Sequence, residues 1–290
     1  MDFDAALAAI LGQIPRGRHA TCGAVARALG DTAAAPAVAE RVRENPRLPR
    51  RDAIATAEGI PLTGGRIHGE PFTRFRGGAL LTQLRRRQLR ERERLSLRGP
   101  TRFRTVCGID VAYRGDRAFA AAVVTDASGA DVLATASAVV NVTFPYIPGY
   151  LAFRELPAIQ AAWRELPTRP ELLLVDAHGI AHPAGFGAAC AAGLALDAPT
   201  IGVAKSRLTG SMESAPAPGT LVRLVIDGAQ RGWVLRPTAS RSLVYVSPGH
   251  RIGLPTCGRI IPPLCRSGIP EPIRMADRDC KEMKRKEIKS

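Results

Sequence analysis

The chain has 290 residues, 46% of them hydrophobic, and a formal net charge of +15. That is enough apolar material for a packed core, and the positive excess favours a polyanionic partner, nucleic acid first. No apolar run approaches the ~18 residues of a membrane span, and the beginning of the chain carries no signal-peptide pattern, so the expectation is no membrane partner and a cytoplasmic location.

Residues 5–14 read as a short amphipathic helix broken by Pro15-Arg16-Gly17-Arg18. Residues 21–30 read as a second helix, capped by Thr21 and stopped at Gly30. Residues 33–45 form a third, ended by Pro46. Three short helices with tight turns suggest a helix-turn-helix unit. Residues 60–77 are rich in Gly, Pro and Thr and read as a linker, and 78–97 as a highly charged helix whose arginines suit phosphate contacts. Residues 104–113, 118–125 and 131–140 read as consecutive strands joined by turn sequences. A helix is expected over 149–166, then a buried strand at 171–175, a helix at 186–196 and a strand at 199–203. Further strands are expected at 220–227, 231–236 and 242–247. Antiparallel strands followed by alternating helix and strand imply a mixed α/β sheet.

Several side chains stand out against this background. Asp110 interrupts the apolar strand Val106-Cys107-Gly108-Ile109-Asp110-Val111-Ala112, where a carboxylate is costly unless paired or bound to a metal. Asp176 ends the apolar run Leu172-Leu173-Leu174-Val175, and strand ends are where α/β sheets place ligands. Alone, Asp176 reads as a helix cap or turn residue; with Asp110 in the same domain it reads as part of a site. Leu151, Glu155, Ile159, Ala162 and Leu166 fall within an arc of about 80° on a helix, so Glu155 lies on the apolar stripe. A fourth acid, Asp277, follows Pro270-Glu271-Pro272 on an expected helix. Lys205 is the only lysine before residue 281 in a chain whose other basic residues there are arginines, and an ammonium differs chemically from a guanidinium fork. Prolines on both sides stiffen the loop of Tyr146. The six cysteines form no Cys-x-x-Cys pair, which excludes the common zinc patterns and fits reduced intracellular thiols. Oxygen ligands suit Mg²⁺, with Mn²⁺ as a substitute.

Gly108-Ile109-Asp110, Pro145-Tyr146-Ile147-Pro148-Gly149, Asp176-Ala177-His178-Gly179-Ile180-Ala181-His182-Pro183 and Pro199-Thr200-Ile201-Gly202-Val203-Ala204-Lys205-Ser206 together resemble endonuclease V, over residues 79–280. The resemblance implies a ribonuclease-H-like mixed sheet with flanking helices. It implies Asp110, Glu155 and Asp176 as metal ligands, Asp277 as a further catalytic acid, and Lys205 at the scissile phosphate. Pro145, Tyr146, Ile147 and Pro148 would form a wedge filling the gap left by an extruded base. Leu151, the backbone at Ala177 and His182 would line the base pocket, and His250 also matches a family motif. The family usually carries Asp-Gly at 176–177, so the methyl of Ala177 is expected to narrow the approach. Where the family has an amphipathic helix between His250 and Pro270, Gly253, Pro255, Gly258, Pro262 and Pro263 are expected to interrupt it.

Residues 3–65 resemble the DNA-binding, winged helix-turn-helix domain of O6-alkylguanine alkyltransferases through Ile14-Pro15-Arg16-Gly17-Arg18 and Ala20-Thr21-Cys22-Gly23-Ala24-Val25-Ala26. The acceptor motif is missing; Leu48-Pro49-Arg50-Arg51-Asp52 stands near its place, and Pro36 stands where that family flips bases with an arginine. Alkyl transfer needs an activated thiolate, so the expectation is a degenerate DNA-binding module at 1–65, a linker at 66–78, a catalytic domain at 79–280 and a basic tail at 281–290. The implied protein is a monomeric, metal-dependent repair endonuclease that nicks DNA at the second phosphodiester 3′ to deoxyinosine, leaving 3′-hydroxyl and 5′-phosphate ends. Its rivals are an inosine-specific endoribonuclease, told apart by the 2′-hydroxyl, and a non-catalytic lesion-binding protein.

Overall fold

A computed structural model describes residues 2–64 and 69–289; of the expected linker, 66–68 lie outside the described residues. The chain divides into two compact units, one of Met1–Arg87 with Thr143–Tyr150, the other of Gln88–Val142 with Leu151–Ser290.

The first unit begins with α1 (Phe3–Leu11), capped by the Asp2 carboxylate accepting from the Ala5 amide at 2.9 Å. The two-residue strand β1 (Ala20–Thr21) leads into α2 (Cys22–Leu29), where the Thr21 hydroxyl accepts from Ala24 at 3.1 Å. Gly30 closes α2 at φ 107°, a left-handed conformation that glycine adopts freely. A 3₁₀ turn at Thr32–Ala34 then runs into α3 (Ala35–Glu44), so the expected third helix is present in two pieces. The strand β2 (Ile54–Ala55) pairs with β1 in parallel. Phe3, Leu7, Ile10, Val25, Leu29, Val38 and Val42 build the core. The unit boundary, between Arg87 and Gln88, falls inside α4 (Leu80–Arg92) rather than near residue 79.

The second unit is built on a nine-stranded mixed sheet in the order β5-β4-β3-β6-β7-β11-β10-β9-β8. β3 (Thr105–Arg114), β4 (Arg117–Asp126) and β5 (Val132–Asn141) form an antiparallel meander. β6 (Leu172–Val175) and β7 (Thr200–Ala204) run parallel to β3 and are buried throughout, as continuous apolar runs require. β8 (Ser211–Met212), β9 (Leu221–Ile226), β10 (Ala229–Leu235) and β11 (Val244–His250) complete the sheet, with β11 antiparallel to β7. Side chains alternate faces along each strand. Cys107, Ile109, Leu173 and Val175 share one core with α5 (Leu151–Arg164) and α6 (Ala188–Leu196). Val106, Leu172, Leu174, Ile201 and Val203 share another with α7 (Leu254–Leu264) and Ile273 of α8 (Glu271–Lys289).

Two expectations are corrected here. The prolines do not interrupt the segment after His250: α7 forms with Pro255 in its first turn and Pro262 and Pro263 in its last. In the first turn Pro255 gives up an N–H that has no helical partner, whereas Pro262 and Pro263 each forgo a helical hydrogen bond close to the end of the helix. Buried Cys257, Ile261 and Leu264 and the Trp233 indole, donating to the Leu254 carbonyl at 2.8 Å, hold α7 on the sheet. The residues after 280 are not a separate tail, since α8 runs unbroken to Lys289. Among the described residues no helix is long and apolar enough to cross a membrane.

Candidate active site

The site forms where β3, β6 and β7 bring their polar residues to one region of the sheet and α8 crosses it. Asp110 sits within β3, and its Oδ1 accepts from the Val111 amide at 2.8 Å. Asp176 directly follows β6, with its amide donating to the Ile109 carbonyl at 3.2 Å. Asp277 comes from α8, whose seat depends on Gly108: a Cβ there would lie 2.2 Å from the Pro272 carbonyl carbon and 2.3 Å from the Ile273 nitrogen. The "Gly" of Gly-Ile-Asp is thus needed for a helix to approach a strand, not for a special φ.

One carboxylate oxygen from each of Asp110, Asp176 and Asp277 lies within 4.8 Å of the others. This all-oxygen donor set fits a hard divalent cation. The expected set was Asp110, Glu155 and Asp176; Asp277 takes the place of Glu155 in the group that converges. Glu155 is 9% exposed on the buried stripe of α5. Burial, then the Asp110 and Asp176 charges, hold its carboxyl well above the usual range, so it lies within electrostatic reach of the cluster.

Lys205 directly follows β7. Its ammonium pairs closely with Asp176 and lies 3.4 Å from Asp277. Lys281, one turn beyond Asp277, donates to the second Asp277 oxygen at 2.7 Å; this is a local i,i+4 pair on one helix, so Lys281 belongs with the acids and not with the expected tail. The Cys280 thiol lies 3.9 Å from Asp110 Oδ2. Burial and then the Asp176 charge push Asp110 up to about 7. Burial also raises Asp176, with Lys205 opposing. Burial works to raise Asp277 too, but the Lys281 hydrogen bond and the contact with Asp110 outweigh it and hold the carboxyl low. Burial opposes the charge on Lys205, yet Asp176 prevails and raises its pKa. Raised acids beside a held cation mark a cluster short of positive charge.

Around this centre, Ala177 is buried at 4% exposure and its methyl packs in the α5–α6 core. It therefore does not narrow an open approach, and only its backbone is available. His182 is buried, with Nδ1 accepting from the Ala184 amide at 3.1 Å. Leu151 is half-buried at the start of α5. His178, which sequence reasoning passed over, joins the loop after β6 to the loop after β7 by a 3.0 Å hydrogen bond between Nε2 and the Ser206 carbonyl. Gly202 makes that crossing possible, because a Cβ there would meet the Gly179 nitrogen at 2.3 Å.

His250 is a correction. It pairs with Thr200, at the start of β7, whereas Lys205 follows the other end of that strand. Its ring is buried, and Nδ1 accepts from the Ser96 amide at 3.3 Å. Its place is structural, away from the carboxylates. Pro145, Tyr146, Ile147 and Pro148 belong to the first unit. There Pro145 and Ile147 are buried, Pro148 is exposed and Tyr146 is 58% exposed. Cys22 is buried at the first position of α2, and burial raises its thiol pKa, the opposite of what an alkyl acceptor needs.

A family profile described as Endonuclease V matches residues 87–278. The Endonuclease V of Streptomyces avermitilis is 44% identical over 180 residues, covering 61% of this chain and 79% of that protein. Human ENDOV superposes with a TM-score of 0.65 at 33% identity, over 72% of this chain and 99% of the human one. Ciona intestinalis Endonuclease V, crystallised with DNA containing an inosine followed by a ribo-adenosine, shares the fold with a TM-score of 0.63 at 24% identity, over 71% of this chain and 98% of that one. With its mixed sheet, its acidic cluster and these relatives, the chain belongs to the Endonuclease V family of nucleases.

Proposed function

We propose that this protein nicks DNA at the second phosphodiester bond 3′ to a deoxyinosine, with Mg²⁺ as the working ion and Mn²⁺ as a substitute. The observation that carries the reading is the convergence of Asp110, Asp176 and Asp277 within 4.8 Å beside the Lys205 ammonium. Inosine as the lesion rests on family membership and on the inosine-containing DNA bound by the Ciona relative.

Asp110, Asp176 and Asp277 would hold the ion, with Glu155 behind them. A bound divalent ion would polarise the phosphate and lower the pKa of a water. Lys205 supplies a mobile cation for a phosphate oxygen. Burial and the neighbouring carboxylates raise the pKa of Glu155, which places a carboxyl with proton-transfer capacity beside the site. Hydrolysis breaks the P–O3′ bond: water's oxygen ends on the 5′-phosphate, and the departing O3′ takes up a proton to become the 3′-hydroxyl. Exposed Arg86, Arg90, Arg92 and Arg94 supply a basic stretch for the DNA backbone. The first unit serves DNA engagement without alkyl transfer, since Cys22 is buried and unactivated. The protein works as a monomer in the cytoplasm, where its six buried thiols stay reduced.

The test is nicking of end-labelled duplexes carrying one inosine, with Mg²⁺ or EDTA, beside Asp110→Ala. A metal-dependent nick one nucleotide beyond the inosine, lost in the variant, supports the reading. Intact DNA with cleaved inosine-containing RNA would replace it with a ribonuclease, and retained binding with no product from either would replace it with a lesion-binding protein.

A further inference from the structure

The first unit contains a segment far from it in sequence, Thr143–Tyr150. This segment is held at both ends. At its start, Arg41 of α3 donates to the Thr143 carbonyl at 2.6 Å and pairs with Asp4 at 3.2 Å. Phe144 meets Phe3 of α1 edge to face, with centroids 6.0 Å apart. At its end, the Tyr150 hydroxyl donates to Asp31 Oδ2 at 2.8 Å. Arg85 pairs with the same carboxylate oxygen at 3.6 Å and lies 4.6 Å over the Tyr150 ring. Between these anchors Ile147 is fully buried, and Tyr146 projects at 58% exposure.

The face of α3 that a helix-turn-helix would turn to DNA tells the other half. Its exposed charged residues are Glu40, Arg43 and Glu44, a net negative surface poorly suited to phosphates. Its buried arginine, Arg41, is spent on Asp4 and Thr143. The helix that would read DNA instead grips a loop.

We propose that the amino-terminal unit is a mount for the Tyr146 loop, with Asp31, Tyr150, Arg85 and Arg41 as positioning residues that hold the aromatic ready to enter duplex DNA. This rests on the inosine-nuclease reading for the lesion, but not for the mount itself. Ordering the loop before binding removes an entropic cost from the complex. A held Tyr146 therefore helps most with a duplex, where an extruded base leaves a gap between stacked neighbours, and least with a single strand, which has no such gap.

The experiment uses the full chain. Hydrogen exchange of peptides covering 143–150 is measured for the wild type, Tyr150→Phe, Asp31→Ala and the double variant. Asp31→Ala also removes the carboxylate that accepts from the Ala33 amide at 3.0 Å; Tyr150→Phe leaves it in place. A hydrogen bond to a charged group is worth about tenfold in an opening equilibrium. Exchange should rise by about that factor in Tyr150→Phe, and the double variant should exceed Asp31→Ala by less than that factor. Nicking of inosine duplex relative to inosine single strand should fall in both variants, as in Tyr146→Ala, with Mn²⁺ affinity unchanged. Unchanged exchange in Tyr150→Phe overturns the mount, and so does faster exchange with an unchanged duplex preference. If the wild type nicks neither substrate, that failure falls on the proposed activity, while exchange and the fluorescence anisotropy of duplex binding still decide the mount by the same comparisons.

Discussion

Replacing Gly108 by alanine is the sharpest test of how the site is assembled. The added Cβ would stand 2.2 Å from the Pro272 carbonyl carbon, 2.3 Å from the Ile273 nitrogen and 2.4 Å from the Pro272 oxygen. Backbone cannot step aside as a side-chain end can, so α8 and β3 have to separate by roughly 1 Å or more to reach ordinary contact. Overpacking of this kind costs about 1–3 kcal/mol. Asp277 lies five residues beyond Pro272 on the same helix, so a shift at the start of α8 moves its carboxylate against Asp110 and Asp176. Displacement of a catalytic group by about 1 Å costs about a hundredfold in rate. Gly108→Ala should therefore lower the melting temperature by a few degrees, weaken Mn²⁺ binding and cut inosine nicking about a hundredfold. Gly23→Ala is the control: its nearest neighbour would be 3.9 Å away within α2, so it should be neutral or slightly stabilising. Wild-type nicking and metal affinity in Gly108→Ala would refute the account of how Asp277 is placed.

Other outcomes follow from the same geometry. Lys205→Ala should cut nicking by about a hundredfold or more, and Lys205→Arg should not restore it, since the planar fork cannot reproduce the ammonium between Asp176 and Asp277; steady-state kinetics decide both. Asp110, Asp176 and Glu155 have raised pKa values. Their stabilising share is present below the ordinary carboxylate range and is lost as pH rises, for Asp110 through about 7. The metal-free melting temperature should thus fall between mildly acid and mildly alkaline pH, and Mn²⁺ should stabilise more at the alkaline end; a flat profile contradicts this. Asp277, held low, works against that trend only at acid pH. Asp110→Asn should abolish nicking yet raise the metal-free melting temperature at alkaline pH, and a lowered one would show that Asp110 stabilises the fold. His250→Ala, which strands the Ser96 amide, should cost about 1–3 kcal/mol by denaturation and leave the ratio of inosine to undamaged nicking unchanged.

What the sequence made legible is what local pattern governs. The apolar runs of β6 and β7, the turn sequences around Gly115 and Gly129, and the helical phase of Glu155 each follow from residues near in the chain. The isolated carboxylates Asp110 and Asp176 were legible for the same reason, as charges in apolar strands. Asp277 ranked below Glu155 because its place depends on α8 packing against Gly108, a contact across some 160 residues. Lys281, four residues beyond Asp277 on the same helix, was open to a local reading as its i,i+4 partner. His250 matched a motif by chain order, but sheet register put it at the far end of β7 from Lys205. The prolines of α7 misled because propensity is a weak prior: a buried stripe against β10 and β11 outweighs it. Nothing local could assign Thr143–Tyr150 to the first unit.

The site and the loop illustrate opposite uses of the same residue types. Along Thr143–Tyr150, charges are matched: Asp31 faces Arg85 at Tyr150, where the hydroxyl donor has its acceptor, and Asp4 faces Arg41 at Thr143. Such pairing fixes one geometry and holds it. Around Asp110, charges are mismatched: Asp110, Glu155, Asp176 and Asp277 are opposed by Lys205 and Lys281, with Arg154 acting on Glu155. Burial first, and for Asp110 and Glu155 the neighbouring carboxylates next, raise three of the four acids, so the fold tolerates an unfavourable cluster there. Stability alone would have replaced one acid with a neutral isostere or added an arginine, a residue the chain uses freely elsewhere. A hard divalent cation, which the all-oxygen donor set fits, would complete the cluster. Lys205, 48% exposed at its side chain and in contact with both Asp176 and Asp277, is then a partner able to leave the acids for a phosphate, a movement that suits an ammonium on a flexible stem better than a guanidinium.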